Sequence, residues 1–319
     1  MERVPDMQAQ GSEAWVAGEV LIDLIPDGRG GRRAVVGGGA ANTAKALARL
    51  GVETCFIDGI SSDEHGTAVR VELASSGVAL GRVLPSDKPT ALAEVTLDAA
   101  GKASYAFTLR GTATFDFHAN WLPRGNPAAL HVGTLATIVE PGCDALHRWA
   151  ARITAPVVFD PNVRPSVLGD RAAYREAVDR WAAISDVVKF SDDDLRWLHP
   201  EAVGVEGLIR LARATLEHGP SLVVVTRGEH GLIGITRERV VEVPGVPTTV
   251  IDTVGAGDTA GAVLVEGVLV HGLERLRGDR LEVVLSRAAE AAAITCSRAG
   301  ADPPRDAELT GIRRHHPLS

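Results

Sequence analysis

Late in the chain runs Asp252-Thr253-Val254-Gly255-Ala256-Gly257-Asp258-Thr259-Ala260-Gly261, followed at once by the apolar stretch Ala262-Val263-Leu264-Val265. Small residues ahead of a helix-forming segment let the backbone turn tightly and aim several free N–H groups at one point. Such a point binds an anion, because a helix N-terminus adds partial positive charge. Asp258 stands at its edge, where a carboxylate can take a proton from an incoming hydroxyl. An anion site beside a general base is what phosphoryl transfer to an alcohol requires. Read on its own, the stretch is equally well an aspartate N-cap in a glycine loop, so the rest of the chain has to decide.

The 319 residues, 45% hydrophobic and 23% charged, can bury a large core as one big α/β domain or as two smaller ones. A formal net charge of −8 speaks against a nucleic-acid-binding surface, which needs clustered Lys and Arg to neutralise phosphates. It says little about a nucleotide, since one triphosphate asks only for local donors and a metal. Cys55, Cys143 and Cys296 lie far apart with no ligand spacing, and an odd, sparse count suggests a reducing compartment. Residues Met1 to Ala14 are polar and carry acids, unlike a secretory leader. No apolar run approaches ~18 residues, and the segment after Gly261 is broken by Glu266 and His271. The expectation is a cytoplasmic protein that binds neither nucleic acid nor membrane.

Strand-like and helix-like runs alternate along most of the chain, which predicts a mostly parallel sheet with helices on both faces. Ala14-Trp15-Val16-Ala17-Gly18 opens as a strand and leads to Glu19-Val20-Leu21-Ile22-Asp23-Leu24-Ile25. Gly37, Gly38 and Gly39 then give a flexible entry to an Ala/Leu-rich helix, with Gly51 as its stop. As a dinucleotide fingerprint this run fails, because Asn42 stands where the third glycine belongs. Thr90 to Leu97 and Ala103 to Leu109 read as a β-hairpin around Asp98–Lys102. Such a hairpin is no crossover unit of a parallel sheet and is better placed as a lid.

The strand Val157-Val158-Phe159 ends in Asp160-Pro161-Asn162-Val163-Arg164-Pro165. Polar groups at strand ends of a parallel sheet face the ligand crevice, so Asp160, Asn162 and Arg164 are site candidates; a structural turn is the other reading. Ser191 with Asp194 three residues on mimics a capping box, a better account of Ser191-Asp192-Asp193-Asp194 than a metal-binding acid cluster. Ser221 to Thr226 is a buried strand ending in Arg227-Gly228-Glu229-His230-Gly231, and a second hairpin (232–236 and 240–244) returns the chain to Asp252. An Ala-rich helix follows from Ser286 to Ser297. His131, His147, His199 and the pair His315-His316 have no partner motif and read as structural or tail residues. The five tryptophans form no stacking ladder for bases.

Asp-Thr-x-Gly-Ala-Gly-Asp-Thr at Asp252–Thr259 resembles the C-terminal signature of the ribokinase-like (PfkB) sugar kinase family, and Gly-Gly-x-x-x-Asn-x-Ala at Gly37–Ala44 resembles its first signature. The likeness runs from about Trp15 to Pro304. It implies a three-layer αβα sandwich with a mostly parallel central sheet and a small β-lid. The expected boundaries are a flexible tail over 1–13, a kinase domain over 14–305 with the lid from about 15–35 and 90–110, and a second tail over 306–319.

The resemblance also implies roles. The backbone of Gly255, Ala256, Gly257 and Asp258 forms the anion hole for the transferred phosphoryl group, and Asp258 deprotonates the sugar hydroxyl. Asp23, Gly38, Gly39, Asn42, Asn162 and Arg164 hold the sugar. Thr226, Gly228 and Gly231, in a Thr-x-Gly-x-x-Gly pattern, line the ATP phosphates and ribose, with Lys189, Ser191 and Gly257 beside them. Where the family has Asn-x-x-Glu, this chain has Ser191 and Asp194; the shortened carboxylate is the expected water-mediated Mg²⁺ partner. Asp252 is the expected ligand of a monovalent cation such as K⁺, although Pro304 replaces a serine found in some members. Dimerisation through lid edges is a further expectation.

Asp-Pro-Asn-x-Arg-Pro is similar to the fructokinase and ketodeoxygluconate-kinase branches, with Val167-Leu168 where a longer form ends in Leu-Trp. Fructose is therefore the first acceptor, 2-keto-3-deoxygluconate the second, and ribose or a nucleoside the third. For the second, Arg110 or Arg164 would pair with the acid's carboxylate. A sugar- or nucleotide-binding regulator without catalysis is the competing class, and retention of Asp258 with both glycines argues against it. A nicotinamide dehydrogenase predicts a complete Gly-x-Gly-x-x-Gly after the first strand, and none is there.

Overall fold

The structure, a computed structural model, describes residues 12–27, 29–97 and 103–310. Residues 1–11 of the leading tail, the turn at 98–102 and the segment from 311 with His315-His316 lie outside the described residues. In chain order the strands are β1 (Ala14–Ala17), β2 (Leu21–Pro26), β3 (Arg32–Gly37), β4 (Thr54–Ile57), β5 (Gly59–Ser61), β6 (Leu84–Ser86), β7 (Leu92–Leu97), β8 (Ala103–Thr108), β9 (Ala129–Gly133), β10 (Val157–Asp160), β11 (Val187–Ser191), β12 (Leu222–Thr226), β13 (Leu232–Ile235) and β14 (Val240–Val243). The helices are α1 (Gly39–Arg49), α2 (Glu64–Ser75), α3 (Gly142–Ala150), α4 (Arg171–Ala182), α5 (Asp192–Leu198), α6 (Gly204–Leu216), α7 (Ala256–Arg277, interrupted at Gly272) and α8 (Leu281–Cys296).

Eight strands form the central sheet in the order β14-β13-β12-β11-β10-β9-β1-β4. The strands from β12 to β4 are parallel, and the second hairpin closes the other edge antiparallel. Alternation of side chains along each strand splits the core in two. Val158, Val187, Leu222 and Val224 pack with Leu47 of α1, Leu264 of α7 and Leu285 of α8. Their neighbours Phe159, Val188, Val223 and Val225 pack on the opposite face with Leu146 of α3, Trp181 of α4, Leu195 of α5 and Leu208 of α6. A strand buried on both faces needs apolar residues at every position, which is why these runs do not alternate in polarity.

The same rule moves one boundary of the lid. Ala14 to Ala17 are buried throughout and pair with β4 and β9, so they belong to the central sheet although the lid was expected to begin near residue 15. The lid itself has four strands in the order β3-β2-β7-β8, starting at Leu21 and including Arg32–Gly37, a strand that the glycine-rich reading missed. Residues 306–310, expected in the second tail, include a short 3₁₀ turn at Asp306–Glu308 that Arg287 anchors through Asp306 at 2.6 Å. Two helices went unread. Helix α4 starts at Asp170, whose carboxylate caps the N–H groups of Ala172 and Ala173, and α6 starts with no side-chain cap.

Candidate active site

The turn ahead of α7 is built around Gly255. Its φ of +81° is left-handed, and a methyl group there would lie 2.6 Å from Ala301 Cβ, so both conformation and space demand glycine. Gly255 is the N-cap, which places Asp258 in the first turn of the helix rather than at its cap. Among the described residues the N–H groups of Gly257 and Asp258 have no backbone partner, as expected of a helix start open to a ligand.

Asp258 does not cap its own helix. Its Oδ2 accepts a hydrogen bond from Asn42 Nδ2 at 2.9 Å, across the gap between α1 and α7. Burial, and secondarily the negative charge of Asp160, push its pKa up to about 6; the Asn42 bond, Lys189 and Arg164 act the other way. A carboxylate poised there is ionised at neutral pH yet more basic than a solvated aspartate.

Asp258 lines a cavity of about 500 Å³ together with Asp23, Gly38, Gly39, Asn42, Asn162 and Arg164, so six residues from three separate stretches converge on it. Asp23 descends from the lid strand β2, and a methyl group on Gly37, diagonally across on β3, would lie 2.2 Å from its Oδ2, which explains the glycine there. Burial raises the Asp23 pKa to about 6, with Arg164 opposing. Asn42 Oδ1 is buried and has no partner among the described residues. An orphaned acceptor of this kind costs roughly 1–3 kcal/mol unless a ligand satisfies it. Asn162 has φ +39°, a left-handed conformation that asparagine tolerates, and its N–H bonds Asp160 Oδ1 at 3.2 Å. Among the described residues Arg164 Nη1 bonds only the carbonyls of Asn162 and Val163, at 3.2 and 3.1 Å. Arg110 is not in this cavity: it is exposed at the end of the lid and lines a neighbouring one of about 830 Å³.

Glu19 is a wall residue that the sequence reading passed over. It accepts the N–H groups of Gly39 at 3.0 Å and Ala136 at 3.2 Å and the hydroxyl of Thr134, so it ties the start of α1 to the end of β9. Burial pushes its pKa to about 7 against those hydrogen bonds. An acid one residue past an apolar strand looks like a simple exit to solvent, and only the non-local partners reveal otherwise.

A second cavity, of about 610 Å³, is lined by Thr226, Gly228, Gly231, Ala256 and Gly257 on one side and by Ala289, Ala292, Ala293 and Cys296 of α8 on the other. Gly231 has φ +83°, and a methyl group on it would lie 2.1 Å from the Val243 carbonyl. The two cavities share Thr253 and Gly257.

Lys189 lines neither cavity. It is buried beneath the turn, with its ammonium 2.6 Å from Asp160 Oδ2 and 3.3 Å from where a Gly257 methyl would sit. Burial works against its charge, but Asp160, with Asp194 and Asp258, outweighs burial and raises its pKa. The Ser191–Asp194 capping box is present, and it turns Asp194 inward. The Asp194 carboxylate accepts the N–H groups of Val163 at 2.7 Å and Ser191 at 2.8 Å and reaches neither cavity, so the water-mediated Mg²⁺ contact expected of it has no geometric support. Asp252 accepts the N–H groups of Val254 at 3.1 Å and Gly300 at 2.9 Å.

An adjoining pair of cavities at the C-terminal ends of a parallel sheet, one lined by charged and amide groups beneath the lid and one by small residues, is the arrangement that a two-substrate transferase of the α/β class needs. Comparison with known proteins is specific. The pfkB family carbohydrate kinase description matches residues 13–308, and the chain belongs to that family. It is 38% identical to a fructokinase of Rhizobium leguminosarum bv. trifolii over 80% of this chain and 79% of the relative, and 33% identical to one of Klebsiella pneumoniae over 81% and 85%. Among solved structures, the fructokinase of Vibrio cholerae O395, a double mutant with fructose, ADP and potassium ion bound, superposes with TM-score 0.81 at 27% identity over 92% of this chain and 94% of that one. The fructokinase of Xylella fastidiosa with bound ATP gives 0.80 at 25% identity over 91% and 94%. The fold is ribokinase-like, and the chain is an ATP-dependent sugar kinase of the fructokinase-like branch.

Proposed function

We propose that the chain transfers the γ-phosphoryl group of ATP to a primary hydroxyl of fructose, with Asp258 as general base. One observation carries this reading: the polar and the small-residue cavity meet at Thr253 and Gly257, beside the Asp258 carboxylate and at the open N-terminus of α7. The sugar sits under the lid, with Asp23 and the orphaned Asn42 Oδ1 accepting its hydroxyls. Asn42 Nδ2 holds Asp258 Oδ2, which leaves Oδ1 to take the proton as the hydroxyl oxygen attacks. The N–H groups of Gly257 and Asp258 receive the charge that gathers on the transferred group, and Lys189 beneath Gly257 adds a fixed positive charge. ATP lies against Thr226, Gly228 and Gly231 with its base along the alanine wall of α8.

Mg²⁺ would be held by the triphosphate and water, since such an ion is commonly bound mainly through substrate phosphates and the buried Asp194 lines neither cavity. It neutralises charge on the phosphates. For a monovalent cation Asp252 remains the reading: each of its oxygens accepts one N–H and keeps a second lone pair. The fructokinase relatives favour fructose, whereas the guanidinium of Arg164, with no carboxylate partner among the described residues, favours an anionic acceptor such as 2-keto-3-deoxygluconate.

ADP release from ATP-Mg²⁺ with fructose, 2-keto-3-deoxygluconate, ribose, glucose and adenosine separates these acceptors. Fructose should drive turnover, and Asp258→Asn should lower kcat by about 10²–10⁴-fold while sugar still binds. An unchanged rate in the variant removes the base; preference for the keto-acid moves the acceptor to the second reading. Substituting Na⁺ for K⁺ in the same assay tests Asp252, because a rate indifferent to the ion leaves it a purely structural carboxylate.

A further inference from the structure

We propose that Lys45 is a positioning residue that fixes the phosphoryl-binding turn at Gly255 relative to the sugar-binding helix α1. This rests on the reading of the 255–258 turn given above. Asn42, Lys45 and Arg49 are three and seven residues apart on α1, a spacing that puts them on one face. The first reaches Asp258. The other two reach a different element, the loop that follows α8: Lys45 Nζ donates to the Ala301 carbonyl at 3.2 Å, and Arg49 pairs with Asp302 and donates to the Pro303 carbonyl at 2.8 Å.

That loop touches the phosphoryl turn directly. Ala301 is the residue whose Cβ lies 2.6 Å, and whose Cα lies 3.0 Å, from the place a Gly255 side chain would occupy. Asp252 holds the same loop from the other side through the Gly300 N–H at 2.9 Å. Lys45 therefore bears on Ala301, and Ala301 bears on Gly255, the left-handed residue that aims the open N–H groups. Lys45 is 4% exposed, and among the described residues its ammonium pairs with the carboxylate of Glu72 of α2 at 2.6 Å. A buried charge is seldom kept without a compensating partner and a geometric role, and here both of its contacts run between elements. Neither cavity includes Lys45, so its effect has to be transmitted through Ala301.

Two variants test the chain of contacts at different links. Lys45→Met removes the charge at similar length; Ala301→Gly removes the Cβ against Gly255 while leaving the carbonyl for Lys45. Each should lower kcat by about 10–100-fold, the scale on which a misplaced reacting group costs rate, with KM for fructose within about 2-fold because the Asn42 end of α1 is untouched. Binding of ADP with fluoroaluminate in the presence of fructose, which reports the anion hole without turnover, should weaken in parallel, and Lys45→Arg should recover part of both. If kcat stays at the wild-type level in both variants, or if kcat, fructose KM and melting temperature all move together, the inference is overturned. Should Lys45→Met fail to fold, Ala301→Gly decides alone. Wild-type enzyme that phosphorylates no acceptor would instead remove the underlying reading of the turn.

Discussion

The cavity proposed for the acceptor and the one proposed for the nucleotide lie side by side yet are built on opposite principles. The first is walled by charged and amide side chains that meet across the fold: Asp23 beside Gly37, Asn42 on Asp258, Glu19 on Gly39 and Thr134. Around the nucleotide, the walls are glycine backbone and a helix face of Ala289, Ala292, Ala293 and Cys296. A site that hydrogen-bonds its ligand loses heavily when one group is removed, because the others are left unpaired. A site made of small residues loses heavily when something is added, because packed walls yield little. The two halves therefore break under opposite kinds of substitution.

The turn they share should obey neither rule, and it gives the largest expected effect. Gly255→Ala adds a methyl group against Ala301 and forces an L side chain into φ +81°. The turn has to shift, and with it the N–H groups and the root of Asp258. Turnover should fall by about 10²-fold or more with both substrates saturating, while the buried apolar body of α7 keeps the fold. Steady-state kinetics against each substrate, with circular dichroism as the folding control, checks this. A normal kcat would mean that the turn tolerates displacement and that the anion hole lies elsewhere.

Next come two variants that should separate the halves. Asn42→Ala deletes an amide that holds Asp258 and offers Oδ1 to the sugar. Fructose KM should rise and kcat should fall, together about 10–100-fold in kcat/KM, with ATP KM unchanged. Ala293→Phe adds bulk to the α8 wall. ATP KM should rise by about 10-fold or more with fructose KM unchanged. The comparison collapses if Asn42→Ala moves ATP KM as far as fructose KM, since the cavities would then be one coupled site.

The same contrast explains what the sequence disclosed. That the small-residue cavity would gather these positions was legible because the information is local: Thr226, Gly228 and Gly231 sit on one strand-end turn, and Gly255 to Asp258 on another. The two-faced sheet was legible for the same reason, since β10 and β12 are apolar runs up to their last residue and β11 is broken only by Lys189 before its end at Ser191. The acceptor side was only half legible. Asp23 and Asn42 came from the family resemblance, but Glu19 and Lys45 belong to no motif and were not singled out, and Arg110 was assigned to a cavity it does not line. Glu19 holds the Gly39 N–H twenty residues on and Lys45 the Ala301 carbonyl 256 residues on, and no spacing rule encodes such contacts. Asp194 shows the opposite case: its capping box is as read, while the carboxylate turns inward onto the Val163 N–H and lines neither cavity, so the expected metal contact stays without geometric support.

The smallest expected effect is one of sign. Glu19, Asp23 and Asp258 all line the acceptor cavity, and burial raises their pKa values to about 7, 6 and 6 from ordinary values of 4.5, 3.8 and 3.8. Between about pH 4 and 7 the folded chain thus holds protons that the unfolded chain has released, and stability falls as pH rises across that interval. The stabilisation from these three groups is complete below their unfolded values and is lost as pH passes their folded ones. Activity runs the other way, since Asp258 accepts a proton only once ionised, so kcat/KM should climb through pH 6 and level off above it. Thermal melts of the ligand-free enzyme from pH 5 to 8 should show the melting temperature decreasing over the interval in which activity increases. Glu19→Gln, which removes a titrating group remote from the transferred phosphoryl, should flatten the stability slope near pH 7 and leave the midpoint of the activity profile in place. His131, whose pKa burial lowers to about 4, contributes in the opposite sense over the same interval, so the slope is judged by the difference between wild type and Glu19→Gln: if that difference is absent, the buried carboxylates are already ionised at acid pH in the folded chain. The acceptor cavity would then carry far more negative charge than its burial implies, and the uncommitted guanidinium of Arg164 would be its counterion rather than a ligand for the substrate.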